Sequence, residues 1–279
     1  MPLAHTGELI ADAHTGGRGI AAFNVITLEH AEAIVAGAEA VGLPVVLQLS
    51  ENAVAFHGGR LLPIASAAAA LAREAAVPVA LHLDHVEDPA LLHAAHGVVS
   101  SAMFDASKLP YAQNVAATRD AAAWAHRHGL WLEAELGEVG GKDGAHAPGV
   151  RTDPGEAARY VEDTGVDALA VAVGSSHAMT TRSAALDHAL IGRLREAVPV
   201  PLVLHGSSGV PDGTLSRAVA AGMTKVNIGT ALNIAFSAAV RTHLAADPAA
   251  VDPRPYLRAG RTAMADAVAH LLRVVAGPA

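Results

Sequence analysis

Eight short runs of apolar, β-type residues recur along this chain, and Ala-rich segments of helical character separate them. The runs cover residues 19–25, 43–50, 77–85, 97–107, 130–137, 167–174, 200–206 and 224–230. The segments that we predict as helices include 28–42, 63–76, 112–129, 153–165 and 186–197. Eight strand–helix units predict a closed (β/α)₈ (TIM) barrel, with a doubly wound open sheet as the alternative.

The composition gives no sign of a second domain, so we predict a single barrel domain over residues 1–279. Residues after about 231 predict extra C-terminal helices, interrupted by a Pro-rich extended stretch over 247–260. That stretch could be a loop or a subunit contact. The first residues lack the features of a signal peptide, and no apolar run is long enough to cross a bilayer. A soluble cytoplasmic protein is therefore expected.

Charge and cysteine content exclude several functions. The formal net charge of −8 argues against non-specific nucleic-acid binding, which needs a basic surface. The chain has no cysteine, so disulfides are excluded and any metal must be held by histidines and carboxylates. Because there are sixteen histidines, only a combination of them at related positions indicates a site.

Polar side chains stand at or just beyond the carboxyl ends of nearly all the predicted strands. They are Asn24, Gln48, Ser50, Asp84, His85, Asp105, Glu133, Glu135, His177, His205 and Asn227. In a TIM barrel these ends form the catalytic face. A capping role would explain one such residue, but turns favour Gly, Asn, Asp and Ser rather than repeated His and Glu. The pattern predicts a ring of functional groups.

Three members of this ring, His85, His177 and His205, are histidines. Three imidazoles with an open position are typical of a catalytic metal site. Three buried histidines bonded to backbone carbonyls are the alternative. His82 alternates with Asp84 along its strand, and we interpret it as a core residue or as a support for the site.

Two turns after the seventh and eighth strands are rich in small residues, HGSSG at 205–209 and NIGT at 227–230. Many barrels bind phosphate at this position. Small residues let backbone N–H groups approach an anion, and Ser and Thr hydroxyls add donors. Together the turns predict a phosphorylated substrate.

The motifs LHLDH, FDAS…PYAQNV, EAELGEVGG, AVAVGSSH, LVLHGSSGVP and KVNIGT resemble those of class II, metal-dependent ketose-bisphosphate aldolases. The resemblance runs from AFNV to DPRPYLRAGRTAM, essentially the whole chain, and is closest to the tagatose-bisphosphate type and its short fructose-bisphosphate relatives. It implies a zinc-dependent lyase of carbohydrate metabolism, such as glycolysis. The enzyme would cleave fructose or tagatose 1,6-bisphosphate to dihydroxyacetone phosphate and glyceraldehyde 3-phosphate. A related substrate, 6-phospho-5-dehydro-2-deoxygluconate, is the alternative within the family.

The resemblance also implies roles for individual residues. Asp84 would be the acid/base at the C4 hydroxyl. Asp143, or alternatively Glu138, would exchange the C3 proton, although Lys142 and Asp143 stand where the family usually has two acidic residues. Zinc would be held by His85, His177 and His205, and a second divalent ion by Asp105 and Glu135.

Substrate binding would fall to residues that follow the strands and to one arginine near the C-terminus. They are Asn24, Ser50, Gly174, Gly206, Ser208, Asn227, Thr230 and Arg254. Arg254 would reach the second phosphate from a neighbouring subunit of a homodimer or homotetramer. A monovalent cation is a further expected ligand.

Two other functions stay open at this point. Another metal-dependent barrel enzyme, such as an isomerase, epimerase or hydrolase, would share the metal but not the need for two phosphate sites. A non-catalytic sugar-phosphate binder would fit the altered segment 138–149. A Schiff-base aldolase lacks a good candidate, because the neighbours of Lys225 suit phosphate better than a hydrophobic lysine pocket.

Overall fold

A computed structural model describes residues 3–136, 151–175 and 179–277. In this part of the chain, eight parallel strands close into a barrel in sequence order. The strands are β1 (Ile20–Asn24), β2 (Val45–Ser50), β3 (Val79–Val86), β4 (Ser101–Phe104), β5 (Trp131–Glu135), β6 (Ala168–Ala170), β7 (Leu202–Leu204) and β8 (Met223–Ile228). Because β1 also pairs with β8, the barrel prediction is confirmed and the open-sheet alternative is wrong.

Helices surround the barrel and extend it at the C-terminal end. They are α1 (Thr6–Thr15), α2 (Leu28–Val41), α3 (Glu51–Phe56), α4 (Leu61–Glu74), α5 (Pro89–Ala94), α6 (Tyr111–Arg127), α7 (Pro154–Thr164), α8 (His188–Ala197), α9 (Asp212–Ala221), α10 (Thr230–Ala246) and α11 (Pro253–Ala276). The caps follow the sequence: the Asp153 carboxylate accepts from the backbone N–H of Glu156 at 2.9 Å, and Gly165 ends α7 in the left-handed conformation. Among the described helices, none combines the length and hydropathy needed to span a membrane.

Strand residues alternate between an outer and an inner core. Outward-facing side chains such as Leu47 and Leu81 are fully buried against the helices, and each such leucine contributes roughly 1.5–3 kcal/mol. Inward-facing Val46 and Ala80 pack with Ile10 of α1, which closes the amino-terminal end of the barrel. Further along the strands the inward positions become polar. The sequence therefore builds an apolar floor under a polar interior.

The extended stretch predicted over 247–260 is wrong in its second half. Helix α11 begins at Pro253, directly after Asp252, whose carboxylate accepts from the backbone N–H of Arg254 at 3.0 Å. A proline fits the first helical position because no intrahelical partner is lost there and its φ is already helical. The proline thus starts a helix, and α11 packs on α2 and α10.

Candidate active site

Asp84 and His85 are adjacent, and on a regular strand their side chains would point to opposite faces. The pairing of β3 with β4 shifts register between Leu83 and Val86, and His85 has a φ of 50°. A residue with a side chain rarely adopts this left-handed conformation, which costs about 1–3 kcal/mol. The irregularity brings the His85 ring to the barrel centre, with its centroid 4.8 Å from that of His205.

Asp105, which follows β4, fixes the ring of His85. Its Oδ2 lies 2.9 Å from His85 Nδ1, while Oδ1 accepts from the backbone N–H and the hydroxyl of Ser107 at 3.0 and 2.6 Å. The proton therefore belongs on Nδ1, and Nε2 is the ring atom able to coordinate a metal. Burial lowers the pKa of His85, but Asp84 and Asp105 outweigh it and raise the pKa above its ordinary value.

His205, directly after β7, is fully buried between two carboxylates of β5. Its Nε2 lies 3.0 Å from Glu133 Oε1, and its Nδ1 lies 3.2 Å from Glu135 Oε2. Burial lowers the pKa of His205, but the hydrogen bonds and charges of both glutamates raise it to about 10. The His205 ring is therefore protonated on both nitrogens, and positively charged, when no cation is bound there.

Two overlapping groups could hold a divalent cation, since the donor atoms within each lie within 4.8 Å of one another. They are Asp84, His85 and His205, and His85, Asp105 and Glu135. Imidazole nitrogens and carboxylate oxygens without sulfur suit Zn²⁺ and similar ions. The donor atoms of these residues are therefore suitable ligands for the expected Zn²⁺. His177, the predicted third imidazole, lies outside the described residues.

The carboxylate of Asp84 is held at both oxygens. Gln48 Nε2 donates to Oδ2 and Asn227 Nδ2 donates to Oδ1, each at 3.3 Å, and Gln48 also donates to Asn24 Oδ1 at 2.8 Å. Burial would raise the pKa of Asp84, but the neighbouring His85 and Lys225 charges hold it below its usual value. Asp84 is therefore an oriented carboxylate at neutral pH.

A cavity of about 630 Å³ opens above these groups at the carboxyl ends of the strands. The predicted site residues in its lining are Asn24, Ser50, Asp84, His85, Asp105, Gly206, Ser208, Asn227 and Thr230. Gln48, Asn233, Glu51 and Glu87 also line it. A single cavity thus collects most of the predicted residues that the structure describes.

One part of the cavity wall is suited to an anion. Gly206 has a φ of 66° and begins a 3₁₀ turn over Ser207–Gly209. Ser208 Oγ accepts from the backbone N–H of Ala231 at 3.1 Å, which joins this turn to the first residues of α10. The N-terminus of a 17-residue helix and a turn of small residues together provide N–H and hydroxyl groups for a phosphate.

Four of the predicted residues that the structure describes, Glu135, Gly174, His205 and Arg254, are not part of this lining. Gly174 has a φ of 120°, and a Cβ there would lie 2.3 Å from the carbonyl oxygen of Ala185. Arg254 lies on the first turn of α11, its side chain is 83% exposed, and its Nη2 lies 2.6 Å from Asp252 Oδ2. Asp143 lies outside the described residues. Within one described chain, Arg254 therefore pairs locally rather than with the cavity.

Sequence reasoning did not predict that two charged residues beneath the site, Glu133 and Lys225, form an ion pair. Lys225 Nζ lies 2.7 Å from Glu133 Oε2, and both side chains are fully buried. Burial would raise the pKa of Glu133, but Lys225 and His205 hold it well below its usual range. Strand alternation could have shown that Lys225 points inward and needs a carboxylate partner, but not which carboxylate it meets.

Fold and site together define an α/β-barrel enzyme with a candidate metal centre and a turn that is suited to binding phosphate. Residues 4–277 match the sequence profile of the family described as fructose-bisphosphate aldolase class-II. The chain belongs to that family. Its members are lyases that act on phosphorylated sugars and are generally zinc-dependent, so the predicted family and enzyme class are confirmed.

Solved structures of aldolases share the fold over nearly the whole chain. The YdjI aldolase from Escherichia coli K12 has 32% sequence identity and a TM-score of 0.85, covering 98% of this chain and 97% of that chain. A putative fructose-1,6-biphosphate aldolase from Coccidioides immitis has 29% identity and a TM-score of 0.85, covering 97% and 96%. Fructose-bisphosphate aldolase (Fba) from Campylobacter jejuni, at 24% identity, has a TM-score of 0.84 and covers 98% and 95%. This last likeness shows the fold alone.

Proposed function

We propose that the protein cleaves a ketose 1,6-bisphosphate, either fructose or tagatose 1,6-bisphosphate, reversibly to dihydroxyacetone phosphate and glyceraldehyde 3-phosphate. The observation that carries the proposal is the oriented, buried carboxylate of Asp84. It lies beside His85 and His205, in a cavity whose wall includes the turn at Gly206 and the start of α10. Retro-aldol cleavage of a sugar bisphosphate requires this combination of an acid/base, an electron sink and a phosphate-binding site.

The proposed metal ligands are His85, His177 and His205, with Asp105 and Glu135 for a second divalent ion. A bound Zn²⁺ supplies Lewis-acid stabilisation of the negative charge that develops when the C3–C4 bond breaks. Neutral imidazoles preserve the charge of the cation, and the anchored rings of His85 and His205 need little reorganisation.

Asp84 is proposed to take the proton of the C4 hydroxyl during cleavage and to return it to the aldehyde oxygen in the reverse direction. Its lowered pKa keeps it ionised, and the amides of Gln48 and Asn227 fix the direction of its oxygens. The bonding electrons of C3–C4 remain on C3, where a proton must be added. Asp143 is proposed for that transfer.

The cavity also suits a polyhydroxylated ligand. Gln48 Oε1 and Asn227 Oδ1 are buried acceptors without a hydrogen-bond partner in the described part of the chain, and both residues line the cavity. A buried acceptor left unsatisfied costs about 1–3 kcal/mol. Hydroxyl groups of a bound sugar could satisfy both, which supports a sugar phosphate.

A homo-oligomer, dimer or tetramer, is part of the proposal. Helix α10 has 17 residues, yet only Leu232 of them is buried, and Ile234 and Leu244 are 44% and 37% exposed. A second copy of the chain covering this helix would bury these side chains. It could also bring Arg254 to the second phosphate of a neighbouring site.

The test is a coupled cleavage assay on metal-free protein reloaded with Zn²⁺. Fructose 1,6-bisphosphate, tagatose 1,6-bisphosphate and 6-phospho-5-dehydro-2-deoxygluconate are compared by kcat/KM. We expect cleavage that a chelator abolishes and that borohydride does not inhibit. Asp84→Asn should lower kcat by about 10²–10⁴-fold, while Asp120→Asn on the exposed face of α6 should behave as wild type.

A covalent adduct trapped by borohydride would contradict the metal-dependent route. Zinc binding without cleavage of any of the three sugars would instead favour the non-catalytic binder. If Ser208→Ala and Arg254→Ala both left turnover of the cleaved bisphosphate unchanged, the phosphate-binding roles proposed for these two residues would be contradicted.

A further inference from the structure

A continuous chain of polar contacts runs through the barrel interior beneath the candidate metal centre. In order, its members are Thr6, Ser101, His82, Lys225, Glu133 and His205. Successive polar atoms are 2.7, 2.8, 3.5, 2.7 and 3.0 Å apart. All six residues have a relative exposure of 0%. Apolar residues of similar volume often replace a buried ion pair without loss of stability, so stability alone does not explain why Lys225 and Glu133 are here.

Glu133 determines which ring nitrogen of His205 faces the centre. Its Oε1 lies 3.0 Å from Nε2, and a carboxylate can only accept a hydrogen bond, so Nε2 carries a proton. The other nitrogen, Nδ1, lies 3.2 Å from Glu135 Oε2, on the side of the candidate ligands. In the neutral ring, Nδ1 is then the atom with a lone pair.

Lys225 in turn determines which carboxylate oxygen of Glu133 faces His205. Its ammonium lies 2.7 Å from Oε2, which leaves Oε1 for His205. An ammonium group can only donate, so His82 Nε2 accepts from it at 3.5 Å and His82 Nδ1 donates to Ser101 Oγ at 2.8 Å. Each group along the chain therefore has a fixed role: Lys225 donates to both His82 and Glu133, and Glu133 also accepts from His205 Nε2.

We propose that Glu133 and Lys225 are positioning residues that select the Nε2–H form of His205 and so present Nδ1 to the catalytic cation. Glu133 acts by accepting a hydrogen bond from Nε2–H, and Lys225 acts by binding Oε2 of Glu133, which leaves Oε1 turned toward His205. The inference rests on the proposed metal-dependent function and adds two residues to it. Hydrogen bonds of this kind behind a ligating histidine affect metal affinity about 10–100-fold when removed.

The experiment measures the Zn²⁺ dissociation constant of the metal-free full chain by competition with a chromogenic chelator. Glu133→Gln keeps the shape, but its amide can donate to Nε2 and reverse the ring, so we expect Kd to rise about 10–100-fold. The paired substitution Glu133→Leu with Lys225→Met leaves no buried charge uncompensated. It should fold better than Lys225→Met alone and still bind zinc more weakly than wild type.

Thr224→Val is the matched control. Thr224 precedes Lys225 on β8, and its Oγ1 lies 3.0 Å from Nδ1 of His14 in α1, a contact that does not involve the polar chain. The control loses a partly buried hydrogen bond on the same strand and should keep the wild-type Kd for zinc. In steady-state assays of the zinc-loaded proteins, Glu133→Gln should lower kcat more than it changes KM.

A second measurement needs no substitution at Glu133 or Lys225. In zinc-loaded wild-type protein labelled with ¹⁵N-histidine, the His205 ring, assigned by difference from His205→Gln, should carry its proton on Nε2. A proton on Nδ1 would overturn the inference, and so would a wild-type zinc Kd in the folded double variant. A wild-type chain without measurable zinc affinity would instead contradict the proposed function itself.

Discussion

His82 lies two residues before Asp84 on β3, and its fully buried ring faces the barrel interior. Desolvation and the nearby charge of Lys225 outweigh the attraction of Glu133 and lower the pKa of His82 to about 3. The ring is therefore neutral throughout the physiological range. It accepts from Lys225 and donates to Ser101, two hydrogen bonds that a doubly protonated ring could not both make.

This low pKa predicts a pH dependence of stability. Because the histidine pKa is lower in the folded than in the unfolded state, the unfolded chain binds one more proton between about pH 6.5 and 3. The contribution of His82 is fully present above pH 6.5 and is lost as the pH falls. In His82→Gln, the slope of unfolding free energy against pH between 6 and 4 should be smaller by up to about 1.4 kcal/mol per pH unit.

Urea unfolding of the metal-free proteins, followed by circular dichroism in chelator-containing buffers, measures both slopes. Above pH 7 the difference between wild type and His82→Gln should be constant, because His82 is neutral there in both states. Equal slopes below pH 6 would mean that the ring becomes protonated in the folded barrel without cost.

At the scale of helices, the long α11 packs on α2 at a glycine. A Cβ at Gly37 would lie 2.6 Å from the carbonyl oxygen of Ala265 and 2.7 Å from Val268 Cβ. These are backbone and branched-residue atoms, so neither can move alone. The two helices must separate to accept any side chain at this position.

Two Gly→Ala substitutions should therefore have opposite effects. Alanine in a helix interior is favoured over glycine by about 0.5–1 kcal/mol, and Gly192 in α8 faces open space, with no atom within 4 Å of an added Cβ. Gly192→Ala should raise the unfolding free energy by that amount. Gly37→Ala should lower it, because overpacking costs about 1–3 kcal/mol and exceeds the propensity gain. Denaturant titrations of both variants measure the difference, and a stabilised Gly37→Ala would contradict the tight α2–α11 contact.

The elements also show how far the sequence predicts the architecture. Apolar runs located all eight strands, but β6 and β7 have only three residues each, because the runs continue past the last ladder hydrogen bonds. Periodicity cannot show such ends. It also cannot show the register shift that turns His85 inward, because that irregularity arises from pairing with β4.

The candidate site was predictable where one strand end carries an unusual residue, as at Asp84 or His205. It was not predictable where function depends on a contact across the barrel. Glu133 on β5 and Lys225 on β8 are 92 residues apart in sequence and lie on strands that do not pair with each other. Only closure of the barrel brings them within 2.7 Å.

At the scale of the whole molecule, the exposed apolar side of α10 predicts self-association. Ile234→Glu should convert the oligomer to a smaller species. Burying the exposed part of this isoleucine on both sides of a twofold interface would contribute about 1–3 kcal/mol. Light scattering coupled to size-exclusion chromatography measures the mass. Ala123→Glu, on the exposed face of α6, is the control and should keep the wild-type mass. A wild-type protein with the mass of one chain would remove this interface from the proposal.

Association would also allow Arg254, which is exposed and paired with Asp252 in its own chain, to take its proposed role at the second phosphate. If it acts on the neighbouring site, Arg254→Ala and Asp84→Asn chains should complement each other. A hybrid dimer has one site with Asp84 of one chain and Arg254 of the other, and random reassortment makes half of the dimers hybrid. Co-expressed variants should thus recover about one quarter of wild-type activity at low bisphosphate concentration. Separately purified variants that are mixed only in the assay provide the baseline. If co-expression gave no gain over that baseline, Arg254 would act within its own chain or not at the substrate, since every dimer would then lack an intact site.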